Sequence, residues 1–62
     1  MIDYDEIREY VGLDRDETLI LKRLIDERTS SMEISSVLDL DYDQTARLEE
    51  MLERYDLFSL LF

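Results

Sequence analysis

Gly12 is the only glycine in this sequence, and there is no proline. A β-rich fold turns often and leans on both residue types, so their near absence favours continuous helices. Those helices must meet within 62 residues, a length that buries only about 60% of the surface its unfolded form exposes. Chains this short usually depend on disulfides, a structural metal or self-association. Neither Cys nor His occurs, which removes disulfides, thiolate zinc and imidazole ligands together. Helix packing and oligomerisation remain.

Four helix starts can be read from capping residues. Asp3 precedes a short helix over 4–11, in which Ile7, Tyr10 and Val11 fall at i, i+3, i+4 and Gly12 supplies the stop. Asp14 caps a longer helix over 15–28, with acids in the first turn and Arg28 in the last, as the helix dipole favours. Ile20, Leu21, Leu24 and Ile25 make its apolar stripe, and Leu19 widens that stripe beyond what one neighbour needs to cover it. Ser30 with Glu33 reads as a capping box opening a helix over 31–38 that buries Ile34, Val37 and Leu38. Asp41 with Gln44 repeats that logic and opens a helix running to about Tyr55, where Thr45, Leu48, Leu52 and Tyr55 recur at 3-4-3 spacing beside Met51.

The tail from Asp56 to Phe62 is dense in apolar residues. Leu57, Phe58, Leu60, Leu61 and Phe62 are too many to bury against so small a core, and each such side chain gains ~1.5–3 kcal/mol from full burial. They are expected to form a homodimer interface. A short strand and a helical extension both fit seven residues, and periodicity does not choose between them.

Seventeen acids stand against seven bases, a formal charge of −10. Such a field repels phosphate and anionic lipid and favours basic partners or solubility alone. Lys22 is the only lysine, and the Asp-rich, Lys-poor balance resembles proteins of salt-loving archaea. Drift in an ordinary acidic protein gives the same balance. In molar salt the field is screened within ~3 Å, so DNA stays open as a partner there. No apolar run approaches the ~20 residues a membrane span needs, and the start Met1-Ile2-Asp3-Tyr4-Asp5-Glu6 lacks the bases of a secretion signal. The expectation is an intact cytoplasmic product.

Residues 31–55 resemble a helix-turn-helix, and residues 18–62 resemble the trihelical part of a winged-helix domain. Ser35 is the small residue of the first helix, Leu38 the apolar one three on, and Asp39-Leu40-Asp41 the turn. Leu40 would be the plug beneath that turn, with Thr45 and Leu48 as anchors in the second helix. Asp39 stands where the family usually has Gly, and the wing stops after one candidate strand over 57–62. The resemblance implies a fold. Function is decided by the site, since many such domains bind proteins.

In a DNA reader the front of the second helix would meet bases and phosphates. Here that surface offers Asp43, Gln44, Arg47, Glu50 and Arg54, the candidate partner-binding residues. Asp43 and Arg47 are i, i+4, as are Glu50 and Arg54, so the arginines are expected in surface pairs along their own helix. Asp39, Asp41, Asp43 and Glu50 also match places 1, 3, 5 and 12 of a calcium loop. Gln44 stands where that loop needs Gly, and the helix would have to begin after Glu50. The spacing is read as chance in an Asp-rich chain, with no metal and no cofactor expected. Catalysis lacks material: there is no His, no Cys and no Gly-rich phosphate loop, and no catalytic residue is assigned. Tyr4, Tyr10, Tyr42 and Tyr55 are read as the edge of the core.

The expectation is therefore a single all-α domain over 1–62, of three to four helices, with helix-turn-helix topology and a truncated winged-helix end. It is a non-catalytic, acidic, protein-binding regulatory module, able to mimic nucleic acid toward a basic partner. The alternatives are a DNA-binding transcriptional regulator of a halophile, with Gln44, Arg47 and Arg54 as contacts, and a structural homodimerisation module.

Overall fold

A computed structural model of the chain describes residues 2–55. The order is α1 (Tyr4–Val11), α2 (Arg15–Asp26), α3 (Ser31–Leu38) and α4 (Tyr42–Arg54), with no strand among the described residues. The fold is all-α, as the sequence predicts. The candidate strand and the dimer residues Leu57, Phe58, Leu60, Leu61 and Phe62 lie outside the described residues. No described helix is long and apolar enough to cross a membrane.

All four expected N-caps form. Asp3, Asp14, Ser30 and Asp41 each accept a hydrogen bond from the backbone N–H three residues on. At Asp14 and Asp41 the cap is reciprocal, because Glu17 and Gln44 reach back to the capping residue's own N–H. At Ser30 the observed bond is the forward one, from Glu33 N–H to the hydroxyl at 3.3 Å. Each cap satisfies N–H groups that the first helical turn leaves without a carbonyl.

The three turns share one closure. Gly12, Arg28 and Asp39 all adopt left-handed backbone, with φ of 84°, 60° and 54°. The residue after each donates its N–H five residues back: Leu13 to Arg8, Thr29 to Leu24, Leu40 to Ser35. This is the Schellman arrangement, in which a left-handed residue folds the chain back onto the last helical carbonyls. Asp39 holds the position where Gly is easier, at the steric cost that a Cβ carries there. Arg28 belongs to the second of these turns, since α2 ends at Asp26, two residues short of the predicted end.

The core is assembled from all four helices: Ile7 and Val11, Leu21, Ile34 and Leu38, then Leu48, Met51 and Leu52. Leu13 joins it from the first turn, and Leu40 packs against it from beneath the third. Two expected core residues point elsewhere. On α3 the inward row is Ser31, Ile34, Ser35 and Leu38, at i, i+3, i+4, i+7, which leaves Val37 off the row and 56% exposed. On α2 the inward row runs through Thr18 and Leu21 to the half-buried Leu24 and Ile25, leaving Ile20 43% and Leu19 59% exposed.

Candidate functional site

α4 packs against α1 on one flank and α3 on the other. Its buried row is Leu48, Met51 and Leu52. The flank facing α1 carries most of the residues singled out from the sequence, and they are engaged there. Gln44 does two jobs with one amide. Its Oε1 accepts from Asp41 N–H at 3.2 Å, and its Nε2 donates to the carbonyls of Val11 and Gly12 at 3.1 and 3.5 Å. Arg47 donates to the carbonyl of Tyr10 at 3.4 Å, with its guanidinium 5.7 Å from the centre of the Tyr10 ring.

Those carbonyls belong to the C-terminal end of α1, where the last turn has no helical N–H left to bind. Gln44 and Arg47 supply the missing donors, and the Arg47 charge sits at the negative end of the α1 dipole. The polar front of α4 thus closes another helix. Farther along, the Tyr10 hydroxyl donates to Glu50 Oε2 at 2.8 Å, and Arg54 pairs with Glu6 at 3.3 Å. The Tyr55 hydroxyl donates to the same Glu6 oxygen and accepts from Asp3 N–H, both at 3.3 Å. The Tyr10 phenol is held above its ordinary value of 10.0, first by that hydrogen bond to Glu50, then by desolvation and the Glu50 charge.

The i, i+4 pairs predicted along α4 are therefore replaced. Among the described residues Arg54 pairs with Glu6 on α1 rather than with Glu50, and Arg47 binds a carbonyl rather than Asp43. An α1 carbonyl is fixed by its helix, and the half-exposed Glu6 carboxylate is steadied by the Tyr55 hydroxyl, so both are well-placed acceptors for the α4 arginines. Sequence reading misses Glu6, Tyr10 and Tyr55 as partners of this flank. Their contacts span 37 to 52 residues, and no local pattern reports them.

What α4 leaves to solvent is different in kind. Asp43 and Glu53 lie along its outward face with Ala46, Glu50 stands at the edge of that face with one oxygen bonded to Tyr10, and Tyr42 stands at its front, 88% exposed. Of the four tyrosines read as core edge, Tyr4 and Tyr55 pack on the core, and the exposed Tyr10 and Tyr42 do not. Asp43 and Glu50 sit within a helix that begins at Tyr42, so the calcium-loop spacing does not fold around an ion. Among the described residues no three acidic side chains gather as a metal site needs.

No family model, curated protein or solved structure matches the chain.

Proposed function

We propose that the chain is a non-catalytic protein-binding regulatory module on a helix-turn-helix topology, whose outward α4 face takes a basic partner. One observation carries this reading: the exposed Arg47 and Arg54 and the Glu50 carboxylate bond to α1, while Asp43 and Glu53 face solvent with no partner among the described residues. A reader of DNA needs its bases forward, toward phosphates and guanine edges. Here the forward charge is negative, the sign that a phosphate backbone itself presents. That favours a lysine- or arginine-rich protein surface, and mimicry of nucleic acid is its sharper form. Tyr42 adds an exposed aromatic ring, a residue type enriched where interfaces concentrate their energy.

The test sets two labelled probes against each other. A short lysine-rich peptide is expected to bind saturably, with affinity reduced about fivefold or more by Asp43→Lys or Glu50→Lys. A random DNA duplex is expected not to bind at low salt or at about 2 M KCl, the condition in which the acidic field is screened. Saturable, competitor-sensitive duplex binding that Arg47→Ala abolishes would replace this reading with the DNA-binding one.

A further inference from the structure

α2 carries a second exposed face, on which Arg15, Lys22 and Arg23 stand among apolar side chains, with Asp16 and Asp26 toward its ends. It packs mainly on α1 and α3, as α4 does, so the two helices present separate surfaces. Arg15, Leu19 and Lys22 follow one another at i, i+4, i+7 along its exposed side, with Ile20 and Arg23 beside them. Two shallow clefts flank Leu19. One lies between α1 and α2, lined by Tyr4, Arg8, Arg15, Thr18 and Lys22, with Asp5 as its one acid. The other is more apolar and is formed by Ile20, Arg23 and Leu24.

Four of the seven bases of the chain thus line one continuous surface, in a molecule with 17 acids to neutralise them. Three of them have no close ion pair among the described residues, although Asp26 lies near enough to the Tyr4 ring beneath Lys22 to act on it. Arg8 approaches Asp5 only to 4.0 Å, and Arg15, Lys22 and Arg23 form no ion pair with a described carboxylate. Lys22 lies over the Tyr4 ring, 5.2 Å from its centre, which orients the ammonium without cancelling its charge. Leu19 at 59% exposure and Ile20 at 43% give the same surface an apolar ridge.

We propose that this α2 face is a docking surface for an acidic protein segment bearing apolar side chains. The charges select the acids, and the clefts on either side of Leu19 receive the apolar groups. A second copy presenting its α4 face fits less well, because among the described residues that face offers only Tyr42 and Ala46 as apolar contacts. The overall −10 does not forbid the approach. At physiological ionic strength screening acts within about 8 Å, so an incoming carboxylate responds to the cleft more than to distant acids. This surface is independent of the α4 reading, and together they make the chain a bridge between a basic and an acidic partner.

The probe is a fluorescein-labelled peptide of alternating Glu-Glu and Leu-Leu pairs, titrated by anisotropy against the full chain near physiological salt. Saturable binding is expected, weakened about tenfold by Arg15→Glu with Lys22→Glu, and comparably by Leu19→Asn. Glu50→Lys on α4 should leave it unchanged. Amide shifts of the unmodified protein should move at Leu19, Lys22 and Arg23 and stay still at Asp43 and Glu53, a readout that needs no variant to fold. Absence of saturation at about millimolar protein, shifts confined to α4, or binding indifferent to the α2 charge reversals would each overturn the proposal.

Discussion

On α4 the arginines lie exposed along the seam with α1 and bond across it; on α2 the arginines and the single lysine stand beside exposed leucine and isoleucine without such bonds among the described residues. The same residue type thus does two kinds of work within one small fold. What separates them is the supply of fixed acceptors. Around α4, the C-terminal carbonyls of α1 and the Glu6 carboxylate lie within 3.5 Å of donor atoms. Around Arg15 and Lys22 the cleft supplies a ring, a threonine, a leucine and one carboxylate, Asp5, which lies 4.0 Å from Arg8. A base near a helix C-terminus becomes part of the scaffold, and a base near apolar surface stays available to a partner.

The strongest way to break this contrast is to remove what holds α1 in place. Ile7 is fully buried on the inward side of α1. Ile7→Ala should cost about 2–4 kcal/mol in urea unfolding, through lost burial and the cavity left behind. Any surviving folded population should show weaker α1 protection in hydrogen exchange, since Arg47 and Arg54 would lose their acceptors. Unchanged stability would mean that α1 contributes little to the fold, and the inward role of α4 would lapse.

A finer comparison sets one polar residue from each face side by side. Gln44→Ala removes the reciprocal cap of α4 and the donor to α1, and should cost about 1–2 kcal/mol. Arg15→Ala, on the other face, should stay within about 0.5 kcal/mol, as surface changes usually do. Equal losses in thermal melts of the two variants would erase the distinction drawn between scaffold and docking bases.

The smallest effect belongs to Tyr10. Its folded phenol holds its proton more tightly than the unfolded one, through the bond to Glu50. Stability from this source is complete below the ordinary value of 10.0 and declines as pH rises through the folded value. Tyr10→Phe should therefore be slightly less stable at neutral pH and lose less as pH rises above the ordinary phenol value of 10.0. Parallel declines for the two proteins would detach the Tyr10–Glu50 bond from stability. Tyr4 is raised too, by burial first and Asp26 second, and it supplies the residual slope in the variant.

The parts of the fold that sequence reading captures are those encoded within a few residues. Asp3, Asp14, Ser30 and Asp41 mark the helix starts because a cap acts over three residues, and Gly12 marks a stop because its backbone freedom is local. Val37 and Ile20 were harder, since which edge of an apolar stripe is covered depends on where the neighbouring helix lies. Leu19 did carry a signal: a stripe wider than one neighbour covers implies exposed apolar surface, and that surface lies on α2. The roles of Gln44, Arg47 and Arg54 were hidden for a different reason. Their acceptors sit 32 to 48 residues away, and within α4 the sequence offers plausible local partners that the fold does not use.

The polar seam between α1 and α4 also bears on the order in which the molecule assembles. Successive helices meet across short turns, so their association closes small loops. Bringing Tyr10 to Glu50, or Asp3 to Tyr55, closes segments with separations of 40 and 52 residues. The entropy of such closure grows with the logarithm of loop length and must be lost before the contact returns anything. α1 is therefore expected to dock late, onto a partner surface already organised by α3 and α4, and its dissociation should be the first sub-global opening of the native state. In that opened form Leu48 and Met51 lose part of their cover, and Arg47, Arg54 and Glu50 lose their α1 partners together.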